Sequence, residues 1–242
     1  MGYCFDDFDY MAASKRILAI ESSGRYSSVA TLQGDADGAR LLEQILLSGD
    51  ERTAQVLAPT IQKLLASAGW SPKSVELVAV ALGPGSFTGL RIGVTTAKAF
   101  AYAIGAEVMG VNTLESLALG AGPSAAALWA VLSAQRQELF AAKFAINEAG
   151  DLNAIQETLI IPQDAWLAGL HAGDRVTGLA LKQLVPRLPA GVEVLPEEQW
   201  QPAAVEVGQL AWRNYQAGQR DDVWRLSPNY YRLSAAEEKQ AG

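Results

Sequence analysis

The chain has 242 residues, of which half are apolar and 19% are charged, and its formal net charge is −7 at pH 7. This length allows one large domain or two small ones with an ample core. An acidic chain is poorly suited to gripping a nucleic-acid backbone on its own, although it can serve in a complex where another chain holds RNA. The single cysteine, Cys4, excludes an internal disulfide.

The sequence contains no apolar run long enough for a membrane and no basic start followed by an apolar stretch. It therefore predicts neither a membrane span nor a signal peptide, and we expect a cytoplasmic protein. Residues 1–14 mix aromatic and acidic side chains without a period. We interpret them as a disordered N-terminal extension or as the product of a start codon placed too early. Residues 234–242 are expected to form a solvated tail.

Short apolar runs and an amphipathic pattern describe the first half of the chain. Three runs separated by polar turns predict an antiparallel meander of strands at 16–20, 27–32 and 41–47. Residues 53–68 carry apolar side chains at helical spacing. The pattern then predicts a strand at 75–82, a helix at 92–104, a strand at 107–111 and a helix at 113–119, before glycine and proline interrupt it near residue 122.

The same order of elements then starts again. Strands are predicted at 127–132, 138–146 and 152–161, followed by a helix at 163–170, a strand at 175–177, a helix at 180–188, a strand at 192–195 and a helix at 203–217. The order βββαβαβα thus occurs twice, which is typical of the α/β fold shared by actin-like proteins, sugar kinases and Hsp70 (ASKHA). We expect an N-terminal lobe over 15–121 and a more irregular C-terminal lobe over 122–233.

A glycine-rich loop follows the predicted strand at 75–82 and precedes the helix at 92–104. Backbone N–H groups and a helix N-terminus in such a loop can hold an anion. The candidate contacts for a nucleotide or anion are Gly83, Gly85, Ser86, Thr88, Gly89 and Arg91. The loop lacks the Gly-Lys-Ser/Thr end of a Walker A motif and the spacing of the dinucleotide fingerprint. A purely structural tight turn is the alternative, and Phe87 fits neither interpretation well.

A stripe of minimal side chains follows this loop at intervals of four residues, on one face of the predicted helix. The stripe consists of Gly93, Ala97, Ala101 and Gly105. Such a surface lets another helix approach closely. Either the helix at 53–68 of the same chain fills it, or the two helices together meet a partner. We predict the second arrangement, with Leu57, Ile61 and Leu64 completing the interface.

Four segments, at 16–23, 83–94, 110–118 and 228–233, closely resemble the TsaB (YeaZ) family. The string Gly-Pro-Gly-Ser-Phe-Thr-Gly followed by an apolar residue and Arg is specific, and the resemblance runs over about 16–233. It implies an actin-like fold and a role in forming threonylcarbamoyladenosine at position 37 of tRNAs that read codons beginning with A. In that system TsaC makes threonylcarbamoyl-adenylate, TsaD transfers the threonylcarbamoyl group, TsaB scaffolds TsaD, and TsaE is an ATPase that joins the complex.

The resemblance also implies the partners. We expect a TsaD-like protein to bind directly, a TsaE-like ATPase to join through the complex, and tRNA to be contacted only indirectly. Alone, the chain is expected to form a homodimer through the same surface. We expect no cofactor to be required by this chain, and ATP or ADP is a candidate ligand at the interface of the complex.

The residue inventory argues against catalysis by the chain itself. TsaD-like enzymes carry a His-x-x-x-His metal pair, and the corresponding positions here are Thr113 and Leu117, neither of which is a useful ligand. His171 is the single histidine, and we interpret it as a solvated loop residue. We therefore predict no catalytic residue and no metal. The alternatives are a nucleotide-dependent ATPase or kinase of the same fold and, less favoured, a glycoprotease-type metallopeptidase.

Three further positions bear on the function. Many family members carry Glu-His-Thr before the first helix, where this chain has Arg52, which keeps its charge and cannot move a proton. Glu21 follows the first strand, where kinases of this fold place an acid near phosphate and metal; a solvent-facing turn acid is the alternative. Residues 135–138 are predicted to form a hairpin turn, which the resemblance places near the cleft between the lobes.

Overall fold

The structure is a computed structural model that describes residues 14–48, 52–148 and 151–232. The tail at 234–242 and all but Ser14 of the extension at 1–14 lie outside the described residues. Two five-stranded sheets, one from each half of the chain, form the framework. None of the helices in the described ranges is long and apolar enough to cross a membrane.

The first sheet has the strand order β3-β2-β1-β4-β5. Its strands are β1 (Lys15–Glu21), β2 (Ser28–Asp35), β3 (Gly38–Leu46), β4 (Leu77–Gly83) and β5 (Glu107–Asn112). The first three form the predicted antiparallel meander, and β4 and β5 lie parallel to β1. The central strands β1 and β4 are buried on both faces, which is why their sequences are almost continuously apolar.

Three helices accompany this sheet: α1 (Thr53–Ser67), α2 (Phe87–Ile104) and α3 (Thr113–Gly120). Helix α2 begins at Phe87, so the prediction that it starts at residue 92 is wrong. The cause is a helix cap, because Ser86 accepts a hydrogen bond from the backbone N–H of Gly89 at 3.2 Å. The second half of the glycine loop is therefore the first turn of α2.

The second sheet has the order β10-β9-β6-β7-β8. Its strands are β6 (Ser124–Gln135), β7 (Glu138–Ile146), β8 (Leu152–Pro162), β9 (Arg175–Thr177) and β10 (Glu193–Val194). Counted from its own first strand, this sheet repeats the order of the first one, which confirms the predicted repeat. Its helices α4 (Gln163–Ala168) and α5 (Leu181–Leu184) are shorter than predicted, and α5 passes into a 3₁₀ turn at Val185–Arg187.

The last helix, α6 (Ala204–Gln216), packs on the first sheet although it follows the second one in the chain. Its buried residues, Ala204, Val207, Leu210, Ala211 and Trp212, share a core cluster with residues of β1, β2, β4 and β5. Polar contacts fix its two ends: the N–H of Ala204 donates to Ser28 Oγ at 2.9 Å, and Trp212 Nε1 donates to the carbonyl of Asp35 at 2.9 Å. The range predicted for the C-terminal lobe thus contributes a helix to the N-terminal sheet.

The residues predicted to form a partner interface lie mostly inside the chain's own core. Leu57, Ile61, Leu64, Ala97 and Ala101 belong to one buried cluster between α1, α2 and the first sheet, and each is at most 3% exposed. Gly93 is buried as well, whereas Gly105 is exposed at the C-terminal end of α2 with φ of 75°. The prediction that Gly93, Ala97 and Ala101 meet a partner is wrong, because the same chain already covers them; for the exposed Gly105 it stays a prediction.

Candidate functional site

A cleft of about 630 Å³ separates the glycine loop from the second sheet. The loop, at 84–88, forms one wall, and the end of β6, at 132–136, forms the opposite wall. The segment 229–232 and Pro202 contribute further lining. The position of the cleft matches the location in which ligands bind in many α/β proteins, at the ends of the strands.

The turn after β1 packs directly against the glycine loop. A Cβ on Gly85 would stand 2.5 Å from the carbonyl oxygen of Ser23, and one on Gly89 would stand 2.1 Å from the carbonyl oxygen of Ser22. The backbone N–H of Ser86 donates to the carbonyl of Ser23 at 2.6 Å. These two glycines are therefore required for contact with the chain's own backbone, independently of any ligand.

The polar side chains predicted to contact an anion have different surroundings. Ser86 and Thr88 are exposed at the start of α2, and Ser86 Oγ caps the helix. Arg91 stacks on the ring of Phe87, with its guanidinium carbon 3.9 Å from the ring centroid. Its Nε donates to the hydroxyl of Tyr230 at 3.0 Å. Arg91 therefore contacts the C-terminal segment.

This contact gives Phe87 a structural role that the sequence interpretation missed. The rings of Phe87 and Tyr230 lie with their centroids 4.8 Å apart. Phe87, the first residue of α2, thereby anchors the C-terminal segment beside the cleft. In the sequence, the segment at 228–233 is conspicuous through its family resemblance. No local pattern in it predicts a contact with Phe87.

The opposite wall is a hairpin with an unusual backbone. Gln135, Arg136 and Gln137 have φ values of 64°, 50° and 59°, a region that residues other than glycine adopt rarely. Arg232 holds the hairpin by donating to the carbonyl of Ala134 at 2.9 Å and by an ion pair with Glu138. The structure confirms the predicted turn and places it at the cleft, and the hairpin also lines a second cavity of about 540 Å³.

Asn112 connects the two lobes at the end of β5. Its Oδ1 accepts from the N–H of Leu114 at 2.7 Å and caps α3. Its Nδ2 donates to Thr158 Oγ1 on β8 and to the hydroxyl of Tyr231, both at 3.0 Å. One carboxamide therefore starts a helix of the first lobe and holds a strand of the second.

Glu21 is buried, so the alternative of a solvent-facing turn acid is wrong. The carboxyl is fully covered, and burial raises its pKa to about 7, against the opposing effect of hydrogen bonds from Ser23. The charge of Glu206 on α6 raises this pKa further. Burial also raises the pKa of Glu206 to about 7. Glu206 is not among the residues that the sequence predicted for the site.

The two positions that correspond to the His-x-x-x-His pair of TsaD-like enzymes are buried. Thr113 and Leu117 are 0% and 2% exposed, and neither side chain offers a metal ligand of the kind that zinc or iron prefers. Within the described ranges, no three His, Cys, Asp or Glu side chains are grouped so that they could hold a metal ion. The side chain of His171 is 82% exposed, with its Nδ1 4.0 Å from Asp174.

Comparison with known proteins identifies the family. The family model "TsaD: tRNA N6-adenosine threonylcarbamoyltransferase" matches residues 42–196. The tRNA threonylcarbamoyladenosine biosynthesis protein TsaB of Bacillus subtilis is 27% identical over 92% of this chain and 96% of that protein. The Escherichia coli protein of the same name is 28% identical, over 94% and 99%.

Relatives named as transferases match over a shorter stretch. The tRNA N6-adenosine threonylcarbamoyltransferase of Rhizobium etli is 35% identical over 46% of this chain and 35% of that protein. Among solved structures, YeaZ from Pseudomonas aeruginosa superimposes with a TM-score of 0.76 at 23% identity, covering 89% of this chain and 99% of that one. This likeness and the repeated sheet order establish the actin-like ASKHA fold. The chain therefore belongs to the TsaD family, and it is a TsaB (YeaZ) type member of it.

Proposed function

We propose that the chain acts in tRNA threonylcarbamoyladenosine biosynthesis as a non-catalytic subunit that binds and scaffolds a TsaD-type enzyme. The observation that carries this proposal is the extent of the two kinds of match. Proteins named TsaB match over nearly their whole length, whereas those named as transferases match over less than half of this chain. The proposal follows the full-length relatives.

The residues at the family's metal positions support the non-catalytic role. Thr113 begins α3 and Leu117 lies one turn later, both covered by the chain's own core. A threonine hydroxyl and an aliphatic side chain cannot replace a pair of imidazole ligands for zinc or iron. The transfer chemistry is accordingly assigned to the partner.

The exposed faces of α1 and α2 are the proposed contact with that partner. Small side chains again recur at four-residue intervals on α2, but on its solvent side, at Thr95, Ala99 and Ala103. Ala54 and Ala58 are exposed in the same way on α1. Helices that present such surfaces can approach each other closely. This outer face, defined by Ala54, Ala58, Thr95, Ala99 and Ala103, replaces the buried stripe in the proposal.

The remaining partners follow from this arrangement. In the absence of the enzyme, the outer face pairs with that of a second copy to give a homodimer. A TsaE-like ATPase joins through the assembled complex, with ATP or ADP bound at its interface. The net charge of −7 favours indirect contact with tRNA, because the phosphate backbone attracts basic surfaces.

Reconstitution of the modification reaction tests the role. Purified TsaD-type enzyme, TsaE-type ATPase, threonylcarbamoyl-adenylate and unmodified tRNA are combined with and without this chain, and modified adenosine is measured. We expect product only when the chain is added together with the TsaD-type enzyme. Product formed by this chain without the enzyme would overturn the non-catalytic role, and equal product with and without the chain would overturn the scaffold role.

Two measurements on the isolated chain separate the alternative functions. Calorimetry with ATP and magnesium, followed by a phosphate-release assay, tests the ATPase or kinase hypothesis, for which binding and turnover are required. Elemental analysis of the purified protein tests the metallopeptidase hypothesis, which requires a bound metal. We expect no turnover and no stoichiometric zinc or iron.

A further inference from the structure

Residues 224–232, which we call the strap, follow α6 and belong to neither a helix nor a strand. The strap starts beside α2 in the first lobe, where Lys98 donates to the carbonyl of Trp224 at 3.2 Å. It ends at the hairpin of the second sheet, where Arg232 donates to the carbonyl of Ala134 at 2.9 Å. Residues 229–232 line the cleft. The strap therefore connects the two walls of the cleft and forms part of its lining.

One side of α2 holds the strap. The α2 residues that contact it are spaced by four, seven and four residues, which places them on one helical face: Phe87, Arg91, Lys98 and Tyr102. The rings of Tyr102 and Trp224 lie with their centroids 5.0 Å apart, and Lys98 Nζ also donates to the carbonyl of Leu226 at 2.8 Å. These are surface contacts, since Tyr102, Trp224 and Tyr230 are 65%, 70% and 45% exposed.

Leu226 is the point at which the strap enters the core. It is 6% exposed and belongs to the buried cluster between α1, α2 and the first sheet. Each of the six residues after it, 227–232, is at least partly exposed. A segment with few buried apolar contacts opens at a lower free energy than the core beside it. We therefore expect the part of the strap beyond Leu226 to open locally while Leu226 stays in place.

Beyond this anchor, the strap packs against the glycine loop. The N–H of Asn229 donates to the carbonyl of Leu82 at 2.8 Å, and a Cβ on Gly83 would stand 3.1 Å from the carbonyl oxygen of Asn229. The next ring, that of Tyr230, packs on Phe87 at the start of α2. The strap thus lies against both the end of β4 and the first turn of α2, which together form the glycine loop.

The last two residues of the strap contact the second lobe. The hydroxyl of Tyr231 accepts from Asn112 Nδ2 at 3.0 Å, and the ring of Tyr231 lies 6.1 Å from that of Phe140, between centroids. Arg232 forms an ion pair with Glu138 on β7. Because partly exposed hydrogen bonds and ion pairs replace similar bonds to water, each of them stabilises the closed position only weakly.

We propose that residues 227–232 form a removable wall of the cleft, which leaves α2 and the hairpin as one unit, turns at Leu226, and thereby opens the cleft between the two lobes. Opening breaks no strand pairing, because none of these six residues belongs to either sheet. It exposes the glycine loop and the hairpin tip to a ligand at the same time, because the strap contacts both. This inference concerns the chain itself and does not depend on its binding to a TsaD-type enzyme.

Amide hydrogen exchange measured by NMR at low concentrations of urea tests whether the strap opens by itself. The amide of Asn229 reports the strap, and that of Ala19, in β1 between β2 and β4, reports global unfolding. We expect exchange at Asn229 to be faster than at Ala19 and almost independent of urea, because local opening exposes little surface. Equal urea dependence at the two amides would overturn the proposal, since the strap would then open only with the whole fold.

Two variants test whether the strap moves as one unit with its boundary at Leu226. Tyr230→Ala removes the ring contact with Phe87, and we expect exchange at Asn229 and in the hairpin at 134–138 to accelerate together, by at least about threefold. Tyr102→Ala is the matched control, because it removes an exposed ring contact on the other side of the anchor, and both rates should stay as in the wild type. Acceleration at Asn229 without the hairpin, or an equal effect of Tyr102→Ala, would overturn the single unit and its boundary.

Thiol labelling tests whether release of the strap opens the cleft. Leu132 lines the cleft and is 8% exposed, so the thiol introduced by Leu132→Cys, in a chain that also carries Cys4→Ser, reports access of solvent. We expect Tyr230→Ala to raise its labelling rate at least about threefold. An unchanged labelling rate in a chain whose Asn229 exchange is accelerated would show that the strap opens without opening the cleft, and would overturn that part of the proposal.

Discussion

The hydroxyl oxygen of Ser22 lies 2.1 Å from the place where a Cβ on Gly93 would stand. One turn earlier on α2, a Cβ on Gly89 would stand 2.1 Å from the backbone carbonyl oxygen of the same serine. The turn after β1 and helix α2 are therefore in direct contact, and glycine at these two positions permits it. The contact sets the position of the glycine loop beside the cleft.

The loss of unfolding free energy caused by substituting Gly93 or Gly89 should depend differently on the Ser22 side chain. Gly93→Ala should lower the free energy of unfolding by about 1–3 kcal/mol, because a methyl group must displace the hydroxyl. Ser22→Ala in the same chain removes that hydroxyl and should recover part of the loss. Gly89→Ala should be no less destabilising in the Ser22→Ala background, because the obstacle there is a backbone carbonyl.

Denaturant unfolding of the single and double variants measures both couplings. Ser22→Ala itself provides the reference, since it also removes the hydrogen bond to the carbonyl of Gly89. Equal coupling of Ser22 to both glycines, or none to Gly93, would contradict the packing described.

Asn112 should contribute to stability through two separable functions. Asn112→Ala removes the α3 cap and both contacts with the second lobe, and we expect a loss of about 2–4 kcal/mol in the free energy of unfolding. Asn112→Asp keeps the acceptor that caps the helix but loses the two donated hydrogen bonds, so its cost should be smaller. Thermal unfolding measures the difference.

Thr158→Val is the control for the lobe contact, because it removes one acceptor of Asn112 Nδ2 and leaves the cap intact. Its cost should lie below that of Asn112→Asp, at about 0.5–1.5 kcal/mol. If Asn112→Asp is as stable as the wild type, the two hydrogen bonds donated by Asn112 do not stabilise the contact between the lobes.

The raised pKa values of Glu21 and Glu206 predict that the free energy of unfolding falls as pH rises towards neutrality. Glu21 and Glu206 have a pKa of about 7 in the folded chain, against a reference value of 4.5. The folded state thus binds these protons more tightly, and their contribution is complete below about pH 4.5 and is lost as pH rises through 7. We expect a decrease of about 1–3 kcal/mol in the free energy of unfolding between about pH 5 and 8.

Among the other acids, Glu115 also has a pKa raised by burial and by the charge of Glu157, so it adds to the same trend, whereas Asp174 acts in the opposite direction. Asp174 has a pKa lowered by hydrogen bonds and by Lys143, against the effect of burial, so its contribution is present near neutrality and is lost only in acid. Unfolding free energies measured at a series of pH values in the wild type and in Glu206→Gln isolate the contribution of Glu206. Glu206→Gln should flatten the profile, and a profile as steep as that of the wild type would refute the assignment.

The repeated architecture was predictable because strands such as β1, β2, β4 and β7 are mostly buried, and buried strands appear as apolar runs. The start of α2 was not predictable from periodicity, since its first turn contains Gly89 and its cap depends on one serine. The stripe of Gly93, Ala97 and Ala101 was assigned to the wrong neighbour. Small residues at intervals of four have the same spacing whether the chain's own core or a partner covers them.

The covered position of Glu206 was not predictable for a different reason. In the sequence Glu206 is an ordinary acid in the first turn of an amphipathic helix, where its negative charge interacts favourably with the helix dipole. Its burial results from the return of α6 to the first sheet, more than 170 residues along the chain from Ser28. The contact of Phe87 with Tyr230 likewise joins distant segments that no local pattern connects.

The outer face of α1 and α2 is proposed to bind a TsaD-type enzyme. Calorimetric titration of that enzyme with the wild-type chain, with Ala99→Arg and with Ala154→Arg measures this binding. Both alanines are exposed, but Ala99 lies on α2 and Ala154 on β8 of the second sheet. We predict saturable binding by the wild type and by Ala154→Arg, and binding weakened at least about tenfold, or about 1.4 kcal/mol, in Ala99→Arg. Absence of binding by the wild type, or unchanged affinity in a folded Ala99→Arg, would contradict the claim.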